Sequence, residues 1–431
     1  MRIHHGLVGL LILAWAGSAH AQANPDNEPS SPPPSGGEFE PVDETDETEA
    51  LAPTPAPQPA PLENADDGAA EPAGGTEMTV PRDHQVPAAA PKLLIGGFAQ
   101  PQFRLRQNDD VAQEDEDGFT LRRTRLTVAA AQPGELISFY FALEAEFSPE
   151  FQLLDAVISG ISDLPAGGRL KVDLGQIRPP MSQQLLISAA EMQFVERAML
   201  THIPPARQLG ASLQVNVPTI PWLEVSAAVF NGEGRNQIQN IDEQFMYVGR
   251  VAFRPVGHLE RPTESALGKD QISIAGSAAY LNSDIDSEGK SVWLGADAFA
   301  SWNGISGYVE YIWRKTEFDS NVAQVDYNGN GINLQAGYLL PLPGSLFRKF
   351  EVAARFEEFD RNDAIPIEVP GDTNQSLRSY VLGLSYYHSE HDVKAQLAFT
   401  HTTEVEDIDR GLMDATFDND TVLFQLTYRL K

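Results

Sequence analysis

Leu136-Ile-Ser-Phe-Tyr-Phe-Ala-Leu-Glu-Ala-Glu-Phe147 and Thr421-Val-Leu-Phe-Gln-Leu-Thr-Tyr-Arg-Leu-Lys431 both alternate apolar and polar side chains. Successive side chains of a strand point to opposite faces, so each stretch has one oily and one wet face. The same beat runs from near Lys92 to the end of the chain. We expect strands near 93–106, 118–131, 136–148, 151–161, 169–177, 207–217, 222–232, 244–255, 270–282, 290–303, 305–317, 331–341, 349–360, 376–389, 391–404 and 420–431. Leu153-Leu-Asp-Ala-Val-Ile158 also reads as helix, which leaves the fourth and fifth of these open.

The gaps carry independent information. Gln132-Pro-Gly-Glu135, Val217-Pro-Thr-Ile-Pro221, Asn303-Gly304 and Ser389-Glu-His391 are short, and Asn-Gly between two alternating runs is a type I′ hairpin signal. The loops at 178–206, 318–330, 361–375 and 405–419 are long. Short turns at one end and long loops at the other are the asymmetry of outer-membrane barrels. The connection 256–269 departs from it, being long where a short turn is wanted.

Facing follows from parity. Phe245, Tyr247, Val251 and Phe253 lie opposite Met246, Arg250 and Arg254; Val422, Phe424, Leu426, Tyr428 and Leu430 lie opposite Gln425, Thr427 and Arg429. A bilayer offers no water to an open sheet edge, so such a sheet must close. The expected fold is all-β: a transmembrane antiparallel β-barrel of about 16 strands with its wet face inside.

The remainder of the chain sets the setting. Met1-Arg-Ile-His-His5, an apolar run to Ala16 and Ala19-His-Ala21 read as a secretory signal peptide over residues 1–21. Residues 22–91 are rich in proline and hold 15 acidic residues against the single basic Arg82. They cannot bury enough apolar area to offset ordering, and read as a disordered acidic spacer in the periplasm. The spacer is compatible with peptidoglycan or periplasmic contact, although no motif specifies it. Residues 92–431 are expected to form the barrel, in an outer membrane. There are no cysteines, which removes thiol chemistry and thiolate metal sites. The barrel region carries 46 acidic residues against 28 basic ones, a balance that disfavours nucleic acid.

Function is read from the basic residues on the wet face. Phe119-Thr-Leu-Arg-Arg-Thr-Arg-Leu126 sets three arginines into four positions. If Leu126, Val128 and Ala130 face lipid, Arg123, Arg125 and Thr127 face the lumen, and Arg122 is left on the wrong parity. Arg250 and Arg254 also fall on a wet face. Arg178 opens the long loop that ends at Val195-Glu-Arg197, and its middle, Leu185-Leu-Ile-Ser-Ala-Ala-Glu-Met192, is too apolar for an exposed loop. We therefore expect it to fold into the barrel as a constriction. Arginines beside a narrow wet passage attract anions and grip phosphate bidentately, so Arg123, Arg125, Arg178, Arg197, Arg250 and Arg254 are the candidates for an anion pathway. Arg–Glu pairs that merely brace a barrel wall are the competing reading for each. No nucleophile elbow, His-Glu-x-x-His or phosphate loop occurs, so no enzyme and no cofactor is expected. His388-Ser-Glu-His391 and Asp284-Ile-Asp-Ser-Glu-Gly289 read more simply as polar turns than as metal or calcium sites.

Gly96-Gly-Phe-Ala-Gln-Pro-Gln-Phe-Arg104, Phe119–Leu126, Leu170-Lys-Val-Asp-Leu-Gly-Gln-Ile-Arg-Pro-Pro180, Val195-Glu-Arg197 and Val229-Phe-Asn-Gly-Glu-Gly-Arg-Asn236 occur in this order. In them the chain resembles the phosphate-selective porin O/P family of Gram-negative outer membranes. The resemblance implies a sixteen-stranded homotrimeric barrel, surrounded by outer-membrane lipid, with a constriction loop after the fifth strand. It also implies passage of small anions such as phosphate past arginines that map to Arg123, Arg125, Arg178 and Arg197.

Overall fold

The computed structural model describes residues 92–107, 117–134, 137–147, 151–165, 168–257, 263–265, 267, 270–282, 288–318, 325–341, 349–360, 363, 376–405 and 418–430. The signal peptide and spacer expected at 1–91, and most of the acidic segments 108–117, 284–288 and 404–409, lie outside the described residues.

Sixteen strands follow one another: β1 (Lys92–Gln107), β2 (Gly118–Gln132), β3 (Ser138–Glu146), β4 (Gln152–Leu164), β5 (Gly168–Ile177), β6 (Gln208–Asn216), β7 (Leu223–Phe230) and β8 (Met246–Val256). The second half holds β9 (Gln271–Asn282), β10 (Glu288–Trp302), β11 (Ile305–Phe318), β12 (Tyr327–Leu339), β13 (Phe350–Asp360), β14 (Leu377–Ser389), β15 (Val393–Glu404) and β16 (Asp418–Leu430). Each strand pairs antiparallel with its neighbours in the chain, and β1 closes on β16 from Gly97↔Leu430 to Gln107↔Asp420. Closure leaves no edge whose amides would meet hydrocarbon.

Two segments correct the expected boundaries. Leu153–Ile158, open between helix and strand, lies in β4, and a bulge accommodates it: Glu144 faces Asp155 and Ala145 faces Leu153, so Leu154 is the extra residue. β12 begins at Tyr327 rather than near 331, because Asn328-Gly-Asn-Gly331 continues the ladder with β11 instead of turning. Asn-Gly is a turn signal only when no neighbouring strand extends past it.

The barrel is inside-out relative to a soluble protein. Phe424, Leu426, Tyr428 and Leu430 are exposed on the outer face, while Gln425, Thr427 and Arg429 are buried toward the lumen. Trp222, Trp302, Tyr338 and Tyr428 sit near the short-turn end; Tyr247, Tyr280 and Tyr380 lie toward the long-loop end. Such aromatic rows suit the two interfaces of a bilayer. Between β10 and β11, Asn303 (φ 49°) and Gly304 (φ 84°) both take left-handed backbone, as a type I′ turn requires. Gly304→Val is therefore expected to cost about 1–2 kcal/mol, seen as a lower unfolding temperature of the detergent-folded barrel on gels. An unchanged transition would show that the turn does not need this backbone.

Candidate functional site

The segment joining β5 to β6 enters the barrel and crosses its lumen. Pro179 and Pro180 end the strand, and Ser182 caps a single helical turn, α1 (Gln183–Leu186), by accepting from Leu185 N at 3.3 Å. A 3-10 turn over Met199–His202 leads out. The apolar middle is packed as its composition demanded: Ile187, Ala189, Ala190 and Met192 are all buried. Inside a barrel the loop has no sheet to satisfy its amides, so wall side chains do so. Met181 O accepts from Ser277 Oγ at 2.8 Å, Gln183 N donates to Glu310 at 2.9 Å, and Met192 O accepts from Lys394 Nζ at 2.6 Å. Met199 N donates to Glu357 at 2.8 Å, and Trp293 Nε1 donates to Ile203 O at 2.9 Å.

Glu196, deep in this loop, is the electrostatic hub. Its carboxylate accepts from Arg122 through Nε at 2.7 Å and Nη2 at 3.2 Å, from Arg123 Nη2 at 3.0 Å, and from Gln102 Nε2 at 3.3 Å. Burial by itself would raise its pKa; the Arg123 and Arg122 charges outweigh that, with hydrogen bonds from Arg122 and Gln102, and hold it at about 2. The parity conflict between Arg122 and Arg123 disappears in the register. Gln100 pairs with Arg123 and Pro101 with Leu121, so Arg122 is the extra residue of a β-bulge. The bulge lets two successive guanidiniums reach one carboxylate. Pro101, which has no N–H to offer the ladder, sits where the ladder is already broken.

The other candidate arginines divide into two groups. Arg125 pairs with Glu144 at 3.0 Å and Glu146 at 3.3 Å; Arg250 pairs with Asp297 at 2.7 Å; Arg254 pairs with Glu224 at 2.6 Å. These three are buried braces between wall strands. Arg250 additionally donates to Met181 O at 3.2 Å and to Gln183 at 3.0 Å, which ties the brace to the loop. Arg178 and Arg197 meet over the loop backbone: Arg178 donates to Leu185 O and Ile187 O, Arg197 to Gln184 O and, at 2.6 Å, to Ile187 O.

The long connection after β8 is the sequence anomaly that the structure explains. Among its described residues, Glu264 and Ser265 are buried rather than surface-exposed. Glu264 accepts from Gln193 N of the constriction loop at 3.1 Å, and Ser265 Oγ lies 3.5 Å from His391 Nε2. Burial, then the charges of Lys394 and Arg429, push His391 well below the usual imidazole range. His388 is exposed, so the two histidines do not converge. Among the described residues no cluster of three or more His, Asp or Glu side chains could hold a metal ion.

On the long-loop side of the constriction lies a cavity of about 500 Å³. Arg104, Arg106, Arg122, Arg197 and Arg355 line it, together with Glu196, Glu357 and His202. Among the described residues its lining holds five guanidiniums against two carboxylates, a cationic balance within a strongly acidic chain. Of the six candidates only Arg197 borders it. Arg104 and Arg106 were nevertheless legible, since Gln100, Gln102, Arg104 and Arg106 share one parity of β1; Arg355 shares the wet parity of β13 with Glu351 and Glu357.

A closed sixteen-stranded barrel whose long loop after the fifth strand occupies the lumen defines an outer-membrane porin by class. The chain matches the family described as "Phosphate-selective porin O and P" over residues 96–430, and belongs to that family. Its fold is similar to the anion-selective porin from Comamonas acidovorans (TM-score 0.55, 14% identity, 79% of this chain and 100% of that one). It is also similar to the in-vitro folded OmpT of Vibrio cholerae in its trimer form (TM-score 0.50, 8% identity, 79% and 100%). An uncharacterized protein of Aquifex aeolicus (strain VF5) is 30% identical over 165 residues, 34% of this chain; the match spans about a third of that relative's length.

Proposed function

We propose that the barrel is a passive channel for small anions, phosphate among them, and that arginines line its pathway. The observation that carries this reading is the cavity beside the constriction, whose described lining holds five arginines and two carboxylates. A water-filled passage with a net positive lining lowers the energy of an anion and raises that of a cation. Arg125, Arg250 and Arg254 serve by bracing the wall, and Arg178 by holding the loop. Homotrimer assembly is part of the proposal, supported by family membership and by the trimer form of the Vibrio cholerae neighbour.

The second reading is a general or cation-leaning porin, favoured by 46 acidic against 28 basic residues beyond position 91. A third makes the acidic spacer 22–91 an envelope tether. Planar-bilayer recording of the purified protein across a potassium chloride gradient decides between them. We expect a reversal potential on the anion side, reduction of chloride current by inorganic phosphate, and the same conductance after deletion of residues 22–91. A cation-side reversal potential would overturn the anion reading, and loss of conductance on deletion would make the spacer part of the channel.

A further inference from the structure

The cavity has a second wall that the anion reading does not use. Lumen-facing positions of a porin strand are ordinarily polar, yet Val381 on β14, Ala398 on β15 and Leu423 on β16 all turn inward and are buried. Ala398 pairs directly with Leu423, and Val381 lies beside them, opposite Thr400. With Phe194 and Val195 of the constriction loop they form one apolar cluster, and all five side chains border the cavity. The cationic row adjoins this strip, because Leu423 pairs across the barrel seam with Arg104. Where the two walls meet, the Arg355 guanidinium lies over the Phe194 ring, 4.2 Å from its centre. Arg355 donates to Glu357 and to Glu196 O, both at 3.0 Å, and its Nη2 is buried with no partner among the described residues.

A bare phosphate needs donors all around its oxygens, and the Val195, Val381, Ala398 and Leu423 side chains supply none; on that side the lining offers only the hydroxyls of Thr400 and Thr421, one step further along β15 and β16. Pressing an anion's oxygens against apolar side chains costs hydration without return. A solute with one anionic head and a hydrocarbon body fits both walls at once, with its head on the arginines and its body on the Leu423 strip.

Resting on the anion-channel reading, we propose that this cavity selects amphiphilic organic carboxylates, with a short aliphatic or aromatic body, over bare inorganic phosphate. The test uses the full chain in planar bilayers and measures the block of chloride current by phosphate, acetate, butyrate and hexanoate. The half-blocking concentration should fall about two- to fourfold per added methylene, leaving hexanoate at least tenfold more effective than phosphate. Leu423→Asn, and the nearly isosteric Val381→Thr, should flatten the series while chloride conductance and phosphate block stay within about twofold. A flat series in the unaltered protein, or phosphate as the stronger blocker, overturns the proposal. So does an equal change for every anion in both variants, which would make the strip only a seat for the loop. A cation-side reversal potential in the unaltered protein would instead sink the channel reading beneath it.

Discussion

Glu196→Gln should raise the anion-over-cation permeability ratio about threefold or more and loosen the constriction. A permeating anion about 6 Å from this carboxylate, in water-like dielectric, is repelled by about 0.7 kcal/mol. Removing the charge returns that, a factor of roughly three, and more where the surroundings are drier. The same substitution strips Arg122 and Arg123 of their shared partner. Arg122 and Glu196 are each about one-third exposed (35% and 32%), so the lost anchoring is discounted for solvent to about 1–2 kcal/mol. The pH dependence has a definite sign. Glu196 has a folded pKa of about 2, below its ordinary value of 4.5, so its anchoring is complete above about 4.5 and disappears as pH falls through 2. Wild type and E196Q should thus differ fully in selectivity from neutral pH down to about 3.5, by about half near pH 2, and converge only below it. Convergence already at pH 4.5 would mean that the carboxylate titrates normally and that the two-arginine grip is absent.

Asp297→Asn should cost the barrel up to about 3–5 kcal/mol. Arg250 and Asp297 are 2% and 1% exposed, so the substitution removes the ion-pair partner of a guanidinium inside the wall and leaves only the neighbouring Glu310 to offset it. Arg250 also holds Met181 O and Gln183 at the root of the constriction loop. The loss should therefore appear twice: as a lower unfolding temperature in detergent, and as added noise in the open-channel current. Replacing both members with apolar residues (R250M with D297L) removes the stranded charge and should recover much of the thermal stability, but not the quiet current, since the loop contacts stay lost. If D297N unfolds at the wild-type temperature, the pair is not a buried brace.

The strand beat made the barrel legible because a membrane sheet enforces a strict period of two. In β16, β11 and β8 every outward residue must tolerate lipid, so facing could be assigned from parity alone. The constriction loop was legible for a related reason: a run such as Leu185–Met192 has nowhere to hide except inside. What parity could not supply was partnership. Arg125, Arg250 and Arg254 face the wet side as expected, but whether such a residue lines a passage or braces a wall depends on an acid tens of residues away, such as Asp297 or Glu224. Nothing local marks Glu196 beside the more conspicuous Arg197, because its importance comes from β2, more than 70 residues earlier in the chain.

Sequence alone thus determined the sheet, its closure, which face is wet, and the presence of an inward loop, since each follows from local side-chain chemistry repeated against one solvent boundary. Only the tertiary structure decided which charges neutralise each other and which surround a cavity. It placed Arg122 in a bulge, brought Glu264 inward from an anomalous connection, and set the Leu423 strip against the Arg104 row. Coulomb and packing energies depend on separations of a few ångströms, and in a closed barrel those separations join residues that the chain keeps far apart.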